Sequence, residues 1–317
     1  MLSRTAENLY WTARYLERAD SIVRLLEVAY RISLIPNTKE GYDNEWESIL
    51  STSGIKNEYL SIYKEIKKEK IEFFLLFDDR NFSSVKNCIT NARENIKMVR
   101  TAVTLEVWNA VNSFFYNYYD LTKKKYYSKD LPEIIDLVKR NVNLIKGTII
   151  NTQLLNDGFD FLILGNYFER ADFTARIIDV KYFILLPSTS LIGTQIDNFQ
   201  WSLMLRSVSS YRAFKWAYGN SEIDYIKIID FLILNNKCPR SLFFSVEKIS
   251  YHLKSLKKHY KENKNLPSKI ENLFRRLKKL TVNDILDEGL HEFLTTFIKD
   301  ISAVYSDLEN KYFLGSK

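Results

Sequence analysis

Glycine and proline are scarce in this chain, and that scarcity limits the kinds of fold it can adopt. Its 317 residues include only 9 glycines and 5 prolines, too few for the many tight turns of an all-β protein. No stretch alternates apolar and polar residues over the length of a convincing strand. The prolines instead separate segments of helical periodicity, where helices begin or end. The sequence therefore predicts an all-α fold.

The residues and motifs of the common catalytic and cofactor sites are scarce as well. Cys88 and Cys238, the two cysteines, lie far apart and outside any CxxC motif. This spacing argues against a disulfide framework or a zinc site and fits a reducing cytoplasm. The three histidines fall in the last quarter of the chain without an HExxH motif, and no GxGxxG or GxxxxGKS/T loop is present to hold phosphate. We expect neither a metal nor a cofactor.

Long apolar runs are also missing. The longest, such as Phe73–Phe77, are far too short to cross a bilayer, and the first residues lack the apolar core of a secretory signal. The expectation is a cytoplasmic protein with no membrane partner. A net charge of +7 is the usual reason to consider nucleic acid as a partner. Here the excess lysines are spread among asparagine and tyrosine, so a compositional bias is favoured and nucleic-acid binding is the least favoured function.

What the chain does contain is an internal repeat. Tyr15–Asp20 (YLERAD) recurs as Tyr167–Asp172 (YFERAD), 152 positions later (167 minus 15). Ordered landmarks at a near-constant offset indicate tandem duplication, and the offset grows only to 157 (239 minus 82). The further landmarks are Trp46–Ser51 with Trp201–Ser207, Phe74–Asp78 with Phe231–Asn235, and Phe82–Val85 with Pro239–Leu242. We therefore predict one helical unit over residues 1–317, built from tandemly duplicated halves of about 1–155 and 156–317 that pack around a pseudo-twofold axis.

Helical periodicity places the repeated motifs on two long helices. The first is predicted over Ser3–Ile35, with the Ser3 hydroxyl as its N-cap, and the second over Phe159–Leu186. A proline follows each predicted end. Another long helical pattern, Ser83–Tyr119, is predicted to bend or break near Thr101–Thr104. The rest of the chain is predicted as shorter helices.

The repeated helices carry acidic and basic side chains at helical spacing. Asp20 with Arg24, and Asp172 with Arg176, are i,i+4 pairs with the acid first, which is the favourable order. The simplest interpretation is a solvent-exposed helix with ion pairs of about 0.2–0.5 kcal/mol each. An intermediate interpretation is a buried ion-pair network that fixes how the halves dock, since unpaired buried charges are heavily penalised.

A functional interpretation turns both polar stripes towards one shared cleft. Arginine offers a planar fork for a carboxylate or phosphate, and glutamate orients that fork or accepts a proton. Glu17, Arg18, Glu169 and Arg170 would then lie at the centre of the cleft. The candidate ligand- or partner-binding residues are Glu17, Arg18, Asp20, Arg24, Glu169, Arg170, Asp172 and Arg176. No catalytic residue is identified by a motif.

Several segments of the chain resemble the bacterial alpha-E family, all-helical proteins named for a Glu-Arg pair. The matching segments are Met1–Trp11 leading into Tyr15–Arg18, Ala92–Asn95, Phe168–Tyr182, Leu205–Ser207 and Pro239–Ser241. The resemblance spans nearly the whole chain. It departs at Thr12-Ala13, where the family pattern has a glycine, and at Asn166, where an arginine is usual.

The resemblance implies a context rather than an established activity. Proteins of this family are typically encoded beside, or fused to, circularly permuted ATP-grasp ligase-like proteins and transglutaminase-like proteins, which suggests a system that makes or modifies peptide or amide bonds. The leading hypothesis is an accessory protein of such a ligase, with the Glu-Arg cleft binding a partner segment or an anionic peptide-like ligand. The rival is an enzyme with Glu17 or Glu169 as general base and Arg18 or Arg170 as anion clamp.

Overall fold

Helices provide all the regular structure of the described residues. The computed structural model describes residues 1–34, 45–123, 126–185, 195–219, 223–260 and 267–314, and it contains no β-strand within these ranges. The predicted all-α class is confirmed. None of the described helices combines the length and apolarity that crossing a bilayer requires.

The α-helices in chain order are α1 (Ser3–Ser33), α2 (Glu45–Thr52), α3 (Lys56–Tyr63), α4 (Lys68–Leu76), α5 (Val85–Met98), α6 (Leu105–Thr122), α7 (Leu131–Thr152), α8 (Asp157–Leu185), α9 (Gln195–Ser207), α10 (Tyr211–Tyr218), α11 (Tyr225–Ile229), α12 (Leu242–His259), α13 (Pro267–Lys279), α14 (Val282–Glu288) and α15 (Leu290–Leu308). Short 3₁₀ turns cover Arg100–Ala102 and Ser128–Asp130, and π turns cover Asp230–Leu234 and Glu309–Phe313.

The two long helices predicted around the Glu-Arg motifs are α1 and α8, and their bounds lie close to the predicted ones. The predicted ends at Ile35 and Leu186, with the prolines that follow, lie outside the described residues. The predicted N-cap of α1 is wrong. Leu2 occupies that position, and no side chain caps the helix there.

The break predicted near Thr101–Thr104 is present. α5 ends at Met98, a 3₁₀ turn follows, and α6 begins at Leu105. The Thr104 hydroxyl accepts a hydrogen bond from the backbone N–H of Val107 at 3.3 Å, which satisfies one of the unpaired donors at the start of α6. The chain can therefore reverse direction between α5 and α6 without leaving that helix end uncapped.

α1 and α8 form the centre of the molecule. α1 packs against α5, α7 and α8, whereas α8 packs against α1, α12 and α15; in addition α2 contacts α8, and α9 contacts α1. In α1, 31 residues long, the buried side chains include the charged Glu17, Asp20 and Arg24. A helix covered on all sides must pair its polar groups inside the protein. The solvent-exposed interpretation is therefore wrong for α1.

The backbones of α1 and α8 come very close together at Gly165. A Cβ atom at this position would lie 2.1 Å from the carbonyl oxygen of Tyr10, so a larger residue does not fit without moving one helix. Near the starts of both helices, the N-terminal amine of Met1 lies 3.1 Å from an oxygen of Asp157. The two Glu-Arg motifs meet further along, so the helices run side by side in the same direction.

Each half of the chain also contains a cluster of three aromatic rings. Within each cluster the ring centroids are 4.9 to 6.0 Å apart, and two of the three ring pairs meet edge to face, an arrangement favoured by the ring quadrupoles. The clusters are Tyr59, Tyr63 and Phe74 in the first half, and Phe214, Tyr218 and Phe231 in the second.

Candidate functional site

The two Glu-Arg motifs exchange their side chains across the contact between α1 and α8. Glu17 of α1 accepts hydrogen bonds from Arg170 of α8, Nε to Oε1 at 2.8 Å and Nη2 to Oε2 at 3.3 Å. In the reverse direction, Glu169 accepts from Arg18, Nε to Oε1 at 2.6 Å and Nη2 to Oε2 at 2.9 Å. Both are bidentate ion pairs, the arrangement in which a carboxylate and a guanidinium bind each other most strongly. The structure thus brings together the four residues that sequence analysis placed at the centre.

Further cations surround both glutamates. The Nε of Arg14 donates to Oε2 of Glu169 at 2.8 Å. Glu17 receives Lys146 of α7 and, with Nη1 to Oε1 at 3.4 Å, Arg240 from the turn before α12. Each carboxylate is therefore shared by two or more cations, as a buried charge requires.

Arg14, Lys146 and Arg240 also belong to the site but are not among the candidates predicted from the sequence. Arg240 lies in Pro239–Ser241, one of the segments that carry the family resemblance, and that resemblance was a usable signal. Lys146 lies in no motif, and only the packing of α7 against α1 brings it to Glu17.

We refer to the contact between α1 and α8 at the two Glu-Arg motifs as the crossing. The two Asp-Arg pairs beside the crossing differ in burial. Asp20 and Arg24 are 0% and 2% exposed, with Nε donating to Oδ2 at 2.9 Å, and Arg240 donates to the same oxygen at 2.8 Å. Asp172 and Arg176 form the corresponding pair at 2.8 Å, but their side chains are 22% and 33% exposed. The Asp172–Arg176 pair is therefore partly accessible to solvent.

A cavity of about 230 Å³ lies beside the Asp172–Arg176 pair, and we refer to it as the Arg18 cavity. It is lined by four candidate residues (Arg18, Glu169, Asp172 and Arg176) together with Ser21, Ile22, Leu25, Ser53, Ile55, Leu75, Ser83 and Phe173. The other four candidates, Glu17, Asp20, Arg24 and Arg170, are buried in the ion-pair network. The crossing therefore combines a buried network with a cavity on one side, rather than one cleft lined by all eight residues.

Ion pairing keeps the glutamates of the crossing ionised. Burial alone would raise the pKa of Glu169, but the charges of Arg18 and Arg14 outweigh it and lower the pKa to about 2. The burial of Glu17 is likewise outweighed by its three neighbouring cations, so its pKa falls well below the usual range. A carboxylate this acidic, with both oxygens already bonded, is a weak proton acceptor near neutral pH. The geometry disfavours either glutamate as a general base.

Cys88, His252 and His291, three further titratable residues of the described chain, are each buried or paired with another side chain. Burial raises the pKa of the Cys88 thiol to about 12, which keeps it protonated and unreactive. His252 and His291 pair through Nδ1 with Asp160 and Asp179 of α8, at 2.6 and 2.8 Å, and so tie α12 and α15 to that helix. Among the described residues, no three His, Cys, Asp or Glu side chains lie close enough together to hold a metal ion.

The lowered pKa of Glu169 predicts a loss of stability in acid. The folded state favours the ionised carboxylate, so its contribution is complete above the ordinary value of 4.5 and is lost as the pH falls towards about 2. By about pH 3 this one group is expected to lose about 2 kcal/mol of unfolding free energy. Urea denaturation at about pH 7 and about pH 3 measures it, with Glu169→Gln as the comparison. Equal losses in the wild type and in Glu169→Gln would contradict this assignment.

Together the fold and the site define a class of protein: an all-helical protein in which two long, buried helices exchange glutamate and arginine side chains. The sequence model of the Alpha-E family, described as a predicted alpha-helical domain with a conserved ER motif, matches residues 1–313. The chain therefore belongs to the Alpha-E family, and the resemblance noted in the sequence is confirmed. No curated protein and no solved structure matches the chain.

Proposed function

We propose that this protein is a non-catalytic accessory component of an ATP-grasp-type amide or peptide ligase system, and that it holds an anionic peptide-like ligand in the Arg18 cavity. The partner classes follow from the family resemblance: a circularly permuted ATP-grasp ligase-like protein and a transglutaminase-like protein. The proposed compartment is the cytoplasm, where such a ligase has access to ATP. The observation that carries the binding role is the cavity, because four candidate residues border open space there.

The ion-pair network behind the cavity supports binding rather than acid–base catalysis. Both carboxylate oxygens of Glu169 accept hydrogen bonds from Arg18, and Arg14 donates a further hydrogen bond to Glu169. A guanidinium held in this way has little side-chain freedom left to lose when a ligand arrives, which favours affinity. The enzyme alternative needs a free carboxylate, and the glutamates of the crossing are both paired.

We also infer that the two halves arose by tandem duplication and pack around a pseudo-twofold axis as one unit. The reciprocal Glu-Arg pairs support this, because each pair becomes the other when equivalent residues are exchanged. The two aromatic clusters support it as well. The N-caps agree too: the hydroxyls of Ser84 and Ser241 accept from the backbone N–H three residues later, at 3.2 and 3.0 Å, at the starts of α5 and α12.

Co-expression with a circularly permuted ATP-grasp ligase-like protein of the same organism tests the proposed function. We expect the tagged wild type to retain that protein through purification and to raise its ATP turnover with a peptide substrate. Ser83→Leu, which places an apolar side chain in the Arg18 cavity, is expected to keep the association and lose the stimulation. Ser302→Leu, on an exposed face of α15, should behave as the wild type.

The proposed function requires both the complex and a stimulation of ATP turnover that depends on the Arg18 cavity. Absence of a complex together with unchanged ATP turnover would contradict an accessory role. Equal stimulation by the wild type and by Ser83→Leu would remove the Arg18 cavity from that role.

A further inference from the structure

Both carboxylates of the Arg18 cavity are already paired with arginine. One edge of the Arg18 guanidinium, in contrast, makes no hydrogen bond to the described residues. Both oxygens of Glu169 accept from Arg18, and both oxygens of Asp172 accept from Arg176, at 2.8 and 3.1 Å. Arg18 uses Nε and Nη2 for this pair, and its Nη1 makes no hydrogen bond within the described residues. An unused guanidinium edge in a partly buried site favours an acceptor from outside.

Two serines, Ser21 and Ser83, belong to the lining. Ser21 is only 1% exposed, and its Oγ has no hydrogen-bond partner among the described residues. The Oγ of Ser83 likewise bonds to none of the residues that the structure describes. A buried hydroxyl without a partner is unfavourable, and a ligand oxygen would relieve that cost.

Charged side chains of both signs line the cavity, Arg18 and Arg176 with Glu169 and Asp172. Both carboxylates already accept from guanidinium groups, and Arg14 adds a further cation to Glu169 from outside the lining. The unused edge of the Arg18 guanidinium is therefore available to a ligand, and it favours an anionic acceptor.

Part of the wall of the cavity is apolar. Ile22, Leu25, Ile55, Leu75 and Phe173 supply this part. Inorganic phosphate has no apolar part to place against such a wall, whereas an aliphatic body on a carboxylate would bury its surface there. The volume of about 230 Å³ lies below the range of about 300–1,000 Å³ typical of drug-sized ligands, so the cavity suits a single amino-acid residue.

The second half of the chain shows what happens when the corresponding space is filled. By the offset of 157 residues (240 minus 83), Arg240 occupies the place of Ser83, and its guanidinium bonds Asp20 and Glu17. A serine at position 83 leaves the space in the first half open.

We propose that the Arg18 cavity binds a carboxylate attached to an apolar body, of the size of one amino-acid residue, with the carboxylate on Arg18 Nη1 and the Ser21 hydroxyl. This deepens the proposed function and rests on its placing the ligand in this cavity. The carboxylate replaces no existing ion pair, since the guanidinium forks to Glu169 and Asp172 stay intact.

Calorimetry on the isolated full chain tests the proposal with N-acetyl-L-leucine as the probe. We expect saturable binding, and at least about tenfold weaker binding of N-acetyl-L-leucinamide, in which the charged acceptor is lost. Inorganic phosphate and isopentylamine should bind more weakly than the probe. Equal binding of the acid and the amide, or tighter binding of phosphate or of the amine, would overturn the proposal, as would absence of binding.

Two variants locate the binding without disturbing the ion-pair network. Ser21→Ala removes a hydroxyl that has no partner in the described protein, so stability should hold while the affinity for the probe falls about tenfold. Ser83→Leu should abolish binding, and Ser302→Leu should leave it unchanged. Unaltered affinity in Ser21→Ala would overturn the assignment even if Ser83→Leu failed to fold. Because the ligase is absent from this assay, a failure here is distinguishable from a failure of the accessory role.

Discussion

Replacing Glu17 with alanine is expected to lower the free energy of unfolding by about 3–5 kcal/mol. Glu17 is 0% exposed and is the shared anion for Arg170, Lys146 and Arg240. Its removal leaves Arg170 and Lys146 without their main anionic partner and takes one of two carboxylates from Arg240, whose closer partner is Asp20. The penalty is large because it comes from the charges left behind rather than from the contact removed.

Urea denaturation measures this loss, with Glu94→Ala as the matched control. Glu94 also pairs with two cations, Arg93 and Lys97, but its side chain is 49% exposed, so its removal should change stability by no more than about 1 kcal/mol. If Glu17→Ala proved as mild as the control, the crossing would not be the buried network described above. A Glu17→Ala variant tests folding, so the assays of function use substitutions in the Arg18 cavity.

Replacing Gly165 with alanine is expected to destabilise the protein by about 3 kcal/mol, the upper end of the usual cost of overpacking. The added Cβ would lie 2.1 Å from the carbonyl oxygen of Tyr10 and 3.2 Å from the backbone nitrogen of Arg14. Backbone atoms cannot rotate away as a side chain does, so α1 and α8 must move apart. That movement stretches the Glu-Arg pairs, which lie one turn further along.

Gly147→Ala provides the control for helix propensity. Gly147 lies within α7, and nothing stands within 4 Å of the position its Cβ would take. Alanine there should stabilise the protein by roughly 0.5–1 kcal/mol. The two glycine substitutions should therefore shift the urea midpoint in opposite directions. A stabilising effect of Gly165→Ala would show that the two backbones are not in close contact at this residue.

The departures from the family pattern illustrate how far sequence reasoning reached at this crossing. The glycine expected at Thr12-Ala13 is absent, and the close approach is made instead by Gly165 of α8. Asn166 stands where an arginine is usual; its Oδ1 accepts from Arg170 at 3.3 Å, and Lys146 supplies a cation to Glu17. Both substitutions concern packing across the crossing, and a single sequence does not reveal which distant residue compensates.

Helix positions and the repeat followed from the sequence because their signals are local. Apolar spacing of about 3.6 residues and the proline positions predicted α1 and α8 to within a few residues. The copied motif identified Glu17, Arg18, Glu169 and Arg170 as a group. The Ser3 cap failed because a hydroxyl near a predicted start is a weak signal, and a helix end is among the least reliable features to predict.

Local patterns in the amino-acid sequence are enough to show that this protein is helical, that its Glu-Arg motif occurs twice, and that the motif lies on two long helices. The pairing of Glu17 with Arg170, rather than with a neighbour on its own helix, is visible only in three dimensions. The same holds for Arg240, which fills one side of the crossing, and for Ser83, which leaves the other side open. The physical reason is distance along the chain. Helical periodicity acts over a few residues, whereas the choice of an ion-pair partner depends on where two helices about 150 residues apart make contact.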